Sequence, residues 1–290
     1  MRITLLFIGL ASLCSGCLGP APATQFVQQA QRLHDESLAS AVTSNTDLRD
    51  YVQLVGKRII EAARAVEPNR TYDPIFSQMQ FHLVGSTIPN VFDTGGSHIY
   101  VYNALFQLCE NEDQLAAAMA HAYAHAVNLD VEHIEINPNA YAALPLVAWQ
   151  FVLHRFTLSQ EQAADQLAFE IYRKAGYDPK QFAALFEHLA TVYSDNPSPD
   201  RTPLALRAPY ARELVANTSA GRRPLPVADP RTFTSLRTQA ASPGAFPKPS
   251  ESELFLRAFP NCMLSGDTPA QRAAQQQLKP IPPPTRLEPS

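Results

Sequence analysis

Strong net charge is the first thing this chain lacks. Lys and Arg number 23 against 27 Asp and Glu, a formal charge of -4 and a pI near 6.1, which gives no electrostatic reason for a nucleic-acid partner. Cysteine is scarce as well, with four residues in 290. Two of these fall within the first 17 residues. The other two, Cys109 and Cys262, could pair in an oxidising compartment but would make no disulfide framework. No apolar run is long enough to span a bilayer: the one at 3–13 is short, and the one at 144–153 is short and broken by Pro145, reading instead as a buried helix or groove wall. Glycine (11) is outnumbered by proline (25), and many prolines lie beyond Arg222, so a globular body followed by a poorly packed tail is expected. No internal repeat occurs, so a repeat-built partner platform is not supported. What remains, 46% hydrophobic over 290 residues, is enough for a sizeable core in one or two domains.

The start reads as a targeting segment, in which Met1-Arg2 precede the apolar run. Cys14-Ser15-Gly16-Cys17 follows and resembles the bacterial lipobox, with Cys17 as the residue lipidated after cleavage. Cys14 stands where that pattern prefers an aliphatic or small residue, and ordinary secretion with cleavage nearby is the alternative. Leu18, with no Asp at that position, matches lipoproteins sorted to an outer membrane. The expected location is therefore the outer membrane, facing the periplasm, with a soluble periplasmic or secreted protein as the alternative.

Apolar spacing predicts packing helices from Thr24 to about Ser44 and from Leu48 to Val66, the second stopped by Pro68. The period then shortens. Gln78 to Val84 alternates as a half-buried strand, and Asn90 to Tyr102 reads as strand, Gly95-Gly96 turn, strand. A small antiparallel sheet is expected there, with an edge strand able to pair with an extended peptide or, equally, a plain hairpin that packs a helix. Residues 111–130 follow as an Ala-rich helix that Asn111 can cap, with Glu112 and Asp113 complementing its positive end.

That helix carries His121 and His125. At i and i+4 the imidazoles project from one face, close enough to share a metal ion, the geometry of HExxH, but Ala122 occupies the position of the Glu. A polar connector closed by Pro138 separates it from a second strong helix, capped near Ser159 and ended at Gly176, with Glu161 and Asp165 on one face. Two neutral imidazoles and a carboxylate with a fourth position left for water is the usual catalytic zinc arrangement. Taken singly, each of these four residues is as well read as a buried polar group or a solvated face. Further helices are predicted over Pro179 to Tyr193 and Thr202 to Val215, with short ones near Glu251 to Phe259 and Pro269 to Leu278.

Four features in order, His121-x-x-x-His125, Glu161-x-x-x-Asp165, Ala175-Gly176-Tyr177-Asp178-Pro179 and the Gly-Gly-Ser-His-Ile-Tyr-Val strand, resemble peptidase family M forty-eight over roughly residues 45–215. That family holds HtpX-like, BepA-like and Oma-type membrane or periplasmic zinc metalloproteases. The resemblance implies an α+β, mostly α-helical, zincin-like (gluzincin) fold with a small antiparallel sheet beside the zinc-binding helix. It implies one zinc ion held by His121, His125 and Glu161, with Asp165 orienting a ligand. The expected division is a leader at 1–17, a metallopeptidase-like domain at 24–217 and a Pro-rich, largely irregular tail at 218–290.

Two departures bear on activity. Ala122 stands where the family has its general base, a group that contributes typically about 10² to 10⁴ in rate. Near Asp200-Arg201-Thr202-Pro203 the family carries a His-Pro followed by an Arg; Arg207 is a weak match for that Arg as a catalytic residue, but no His precedes Pro203. Three readings follow: a natural pseudoprotease that keeps zinc and the peptide groove, a working protease whose base is supplied elsewhere (Glu132 or Glu135), or an inactivated copy with Ala122 introduced by hand. Two separate departures favour the first over the third. The expected partners are peptide or unfolded segments of envelope proteins, and the rival from another class is a structural lipoprotein without metal. The sequence does not address oligomeric state.

Overall fold

The computed structural model describes residues 27, 28, 30, 31, 34–86, 89–130, 156–192, 204–218, 229–242 and 244–246. Outside these residues lie Cys17 and the leader, Glu132 and Glu135, the 144–153 run, Asp200 to Pro203, Cys262 and the expected helices beyond 250.

The first described stretch ends earlier as helix than its spacing predicts. A π-turn at His34–Leu38 passes into a 3-10 turn at Ala39–Ala41. Val42 is then extended and bridges Val84, so the chain joins the sheet side before residue 44. Helix α1 (Thr46–Val66) follows, its start held by Asn45, whose side chain accepts from the Leu48 amide. Leu48, Val52, Val55, Ile59 and Ala63 recur every three or four residues and form its buried stripe. Gly56 lies so close to the Phe81 ring that a Cβ there would overlap it, and only glycine allows this approach. Short turns α2 (Pro68–Thr71) and α3 (Pro74–Ser77), each begun by proline, lead into the sheet.

Three strands form it, β1 (Gln80–Val84), β2 (Val91–Asp93) and β3 (His98–Tyr102), in the order β1-β3-β2. The hairpin of β2 and β3 is antiparallel, with Val91 opposite Val101, as the Gly95-Gly96 turn predicts. The other pairing differs from the expected antiparallel sheet: β1 runs parallel to β3, Gln80 opposite His98, so the sheet is mixed. Strand alternation cannot reveal this, because it sets which face each side chain takes and not which way a neighbour runs.

Helix α4 (Asn103–Leu108) follows directly, then α5 (Glu112–Asn128), the predicted His-pair helix. Asn111 caps it by accepting from the Gln114 amide, and Leu129, at φ 58°, ends it in the left-handed region. Its residues from Glu112 to Val127 are all buried, so α5 is the central element and its alanines let neighbours approach closely. Helix α6 (Leu158–Ala175) packs along it. Thr157 caps α6, not Ser159, because Thr157 and Gln160 form a reciprocal capping box. Gly176, at φ 88°, ends it as expected, and Asp178 starts α7 (Pro179–Val192) by accepting from the Lys180 amide. The Asp178 amide donates in turn to Asp113, tying this turn to the start of α5.

Helix α8 (Leu204–Ala216) closes over α6 and α7. In the Pro-rich tail, α9 (Pro230–Ala240) buries Phe233, Leu236 and Ala240 against the body, with Phe233 beside Tyr51 and Phe106. Arg237 donates to the Cys109 carbonyl, and Thr43 donates to the Ala245 carbonyl. This part of the tail is thus a docked helix. Cys109 is a fully buried free thiol. Among the described residues no helix is long and apolar enough to cross a membrane.

Candidate metal centre

His121 and His125 lie one turn apart on α5, and Glu161 and Asp165 one turn apart on α6, so the packing of the two helices brings all four together. All four are buried. His121 Nε2 stands 3.1 Å from His125 Nε2, and Glu161 Oε2 lies 3.5 Å from each. Three donor atoms bound to one zinc at ordinary distances in a tetrahedral set would sit about 3.3 Å apart, so the triangle matches the size such an ion requires.

The opposite ring edges are held as well. Asp165 Oδ1 is 2.9 Å from His121 Nδ1, and Asp130 Oδ2 is 2.8 Å from His125 Nδ1. With each Nδ1–H donating to a carboxylate, both Nε2 atoms face into the triangle, the arrangement by which carboxylates orient metal-binding imidazoles. Glu161 Oε2 is buried with no hydrogen-bond partner. Arg207 Nη1 lies 3.0 Å from it, close enough for Coulomb attraction but not aligned as a hydrogen bond. Electron-rich atoms converging in a buried space fit a divalent cation and nothing apolar.

Arg207, on α8, is fully buried. Its Nε donates to Asp165 Oδ2 at 2.9 Å and its Nη2 to Asp165 Oδ1 at 2.7 Å, a bidentate pair, while the guanidinium lies over the Phe186 ring at 4.8 Å. A chain of contacts therefore runs from Arg207 through Asp165 to His121 across three helices. This geometry makes Arg207 a positioning group for the His121 side of the centre.

The charges shift the titrations in opposite senses. Burial, then Arg207 and His125, lower the His121 pKa. Burial also works against charging His125, but its contacts with Asp130 and Glu161 outweigh that and hold it at about 9. Burial opposes ionisation of Asp165 too, and Arg207 and His121 nonetheless hold its carboxyl well below the usual carboxylate range.

Ala122 is buried beside His121 and carries only a methyl group. Sequence reasoning missed two acids. Asp130 folds back onto His125 because Leu129 turns the chain through the left-handed region; its signal was an acid five residues past the second histidine, just beyond the helix end. Asp93, buried at the end of β2, accepts from the Gly95 amide, and burial pushes its pKa up to about 6, tempered by that bond and by His125 and raised further by Asp130.

The model of Peptidase family M48 matches residues 49–144, which span the sheet and the His-pair helix. Over those residues the chain is similar to this family. It is similar to the beta-barrel assembly-enhancing protease of Escherichia coli (strain K12), 22% identical over 212 residues, covering 64% of this chain and 42% of that protein. The same-named protein of Yersinia pestis is 22% identical over 215 residues, with the same coverage. Mitochondrial metalloendopeptidase OMA1 of Schizosaccharomyces pombe is 25% identical over 154 residues, 48% of this chain and 43% of that protein. The chain thus spans less than half the length of these relatives. This match and the mostly helical, zincin-like fold with a small sheet agree with what the motifs imply.

Proposed function

We propose that this metallopeptidase-family chain binds one zinc ion through His121, His125 and Glu161 and engages peptide segments of envelope proteins, with proteolysis impaired at Ala122. The observation that carries the reading is the triangle of 3.1, 3.5 and 3.5 Å between the two Nε2 atoms and Glu161 Oε2, which accepts no hydrogen bond and has Arg207 as its charged neighbour. Zinc held there supplies Lewis acidity and a lowered pKa for bound water. Asp165 and Asp130 keep the two Nδ1 protons in place, and Arg207 keeps Asp165 ionised. Strand β2, an outer strand packed beside α5, is the edge on which an extended peptide pairs through its main chain. The Ala122 methyl group accepts no proton from water and returns none to a leaving amine, so this chain lacks that step of peptide hydrolysis. The leader and Cys17 support an exported, lipid-anchored protein, with the metallopeptidase-like body beginning at about residue 24 and tail helix α9 docked on it.

A second reading, an active protease with another base, is favoured by Asp93, a buried carboxyl that shares the surroundings of His125 and Asp130. The deciding experiment measures zinc content and casein cleavage for wild type, Ala122→Glu, Glu161→Gln and Asp93→Asn. The proposal expects zinc in wild type without cleavage, and chelator-sensitive cleavage gained by Ala122→Glu. Cleavage by wild type that both Glu161→Gln and Asp93→Asn abolish would establish the second reading. Wild type without zinc would sink both and leave a structural lipoprotein.

A further inference from the structure

Five of the eight histidines fall into two groups, and only one group belongs to the helix pair. The other lies across the sheet. Strand alternation sends Phe81, Leu83, Ile99 and Val101 into the core under α1 and α5, and turns His82, His98 and Tyr100 to the opposite face. The parallel register sets Gln80 against His98 and His82 against Tyr100, so His82 and His98 are diagonal neighbours on that face. The π-turn then lays His34 on His98, ring centroids 4.0 Å apart and 4° from parallel, and 4.9 Å from the His82 ring.

The contacts fix the tautomer of His98 and, through it, that of His82. Gln31 Nε2 donates to Asp35 Oδ1 at 3.1 Å, so its Oε1 is the atom 3.0 Å from His98 Nε2, which must be the protonated nitrogen. His98 Nδ1 is left with a lone pair, which accepts from His82 Nε2–H at 2.9 Å; a metal ion would take the place of that proton, which passes to His82 Nδ1. His34 Nδ1 is 2.7 Å from the Tyr100 hydroxyl. One ring nitrogen from each histidine lies within 4.8 Å of the others. His82 and His98 are buried. His34 is half-buried and supplies the way in. Gln31 holds the His98 ring in place, and His34, stacked parallel on it, must turn off that face for its in-plane lone pair to reach the same ion.

We propose that His34, His82 and His98 form a second metal site, for a divalent transition-metal ion that accepts imidazole nitrogen such as zinc, copper or nickel. Three neutral imidazoles without a carboxylate are the donor set such ions select, and magnesium and calcium do not. The ion fastens the segment before α1 to the sheet, on the face away from the helix centre, and its binding is independent of that centre.

The test strips full-length protein with a chelator and counts zinc equivalents bound on titration with zinc alone. Wild type binds two, His121→Ala keeps one, His34→Gln keeps one, and His34→Gln with His121→Ala binds none. Zinc raises the thermal midpoint of His121→Ala but not of that double variant. His34, being partly exposed, can be replaced with the least risk to folding; His98→Ala is the second variant, checked by circular dichroism. Full retention of both equivalents in His34→Gln and His98→Ala, or loss of all zinc in His121→Ala, overturns the proposal. Zinc that His34→Gln removes and His121→Ala leaves untouched would uphold this site and defeat the helix-site reading.

Discussion

Single residues decide whether the helix centre binds metal and what it does with it. Asp130 and Asp165 each hold one imidazole by its Nδ1, and loss of such a group typically weakens metal affinity about 10- to 100-fold. Asp130→Ala is therefore expected to weaken zinc binding by that order, read by competition with a chelating dye, while circular dichroism stays unchanged. The pH dependence follows from His125. Its pKa in the metal-free fold is about 9, above the ordinary 6.5, so its protonated form stabilises that fold fully below 6.5 and the contribution is lost as pH rises through about 9. Zinc must displace that proton, so apparent affinity is expected to climb with pH from 6.5 and level off above about 9. An affinity flat over that window would contradict the role given to His125. The His121-x-x-x-His125 spacing and Glu161-x-x-x-Asp165 were legible in the sequence because each pair sits on one helix, where spacing alone sets the face. Asp130, Asp93 and the Asp165 contact of Arg207 were not, because a left-handed turn, a strand end and a third helix bring them in.

Elements were most legible where local chemistry is complete in itself. Asn111 and Asn45 caps, the Gly176 stop and the Gly95-Gly96 turn satisfy their own backbone groups within a few residues. The parallel pairing of β1 with β3 depends on how the chain crosses between strands, and no local pattern encodes it. Where elements meet, the fit is tight. A Cβ on Gly56 would lie 2.2 Å from the Phe81 ring, and overpacking of this kind costs typically about 1–3 kcal/mol. Gly56→Ala is expected to lower stability by that amount in denaturant unfolding, although alanine is the better helix former; no loss would mean that α1 and β1 do not approach as described.

At the scale of the whole molecule the tail takes part in the body. Phe233 is buried against Tyr51 and Phe106, and truncating such a side chain costs typically about 3–5 kcal/mol. Phe233→Ala should destabilise the protein by roughly that much, whereas a tail that merely trails would leave the unfolding midpoint unmoved. Acid stability depends on the other face of the sheet. His82 and His98 have lowered pKa values of about 3 and about 4, so their neutral forms favour the fold above 6.5, and this contribution is lost as pH falls from 6.5 through those values. Charging His82 also meets His98 and His34, and charging His98 meets His34, offset in part by Asp35. Metal-free protein is expected to lose thermal stability steadily from pH 6.5 towards 4, and His82→Gln to show a shallower fall.

By itself the sequence determined the resemblance to a metallopeptidase family, the two helices that carry the candidate ligands and the absence of a proton-accepting group at position 122. These depend on which residues stand three or four apart on one helix and on the identity of one residue, and both are properties of the chain before it folds. Only the tertiary structure decided that the two helices meet at the spacing of one ion, that Asp130 and Arg207 steady the candidate ligands, that the tail helix docks, and that a second group of histidines gathers on the far face of the sheet. Those outcomes join residues many positions apart, and it is the packing of helices on helices and strands on strands that sets the distances between them.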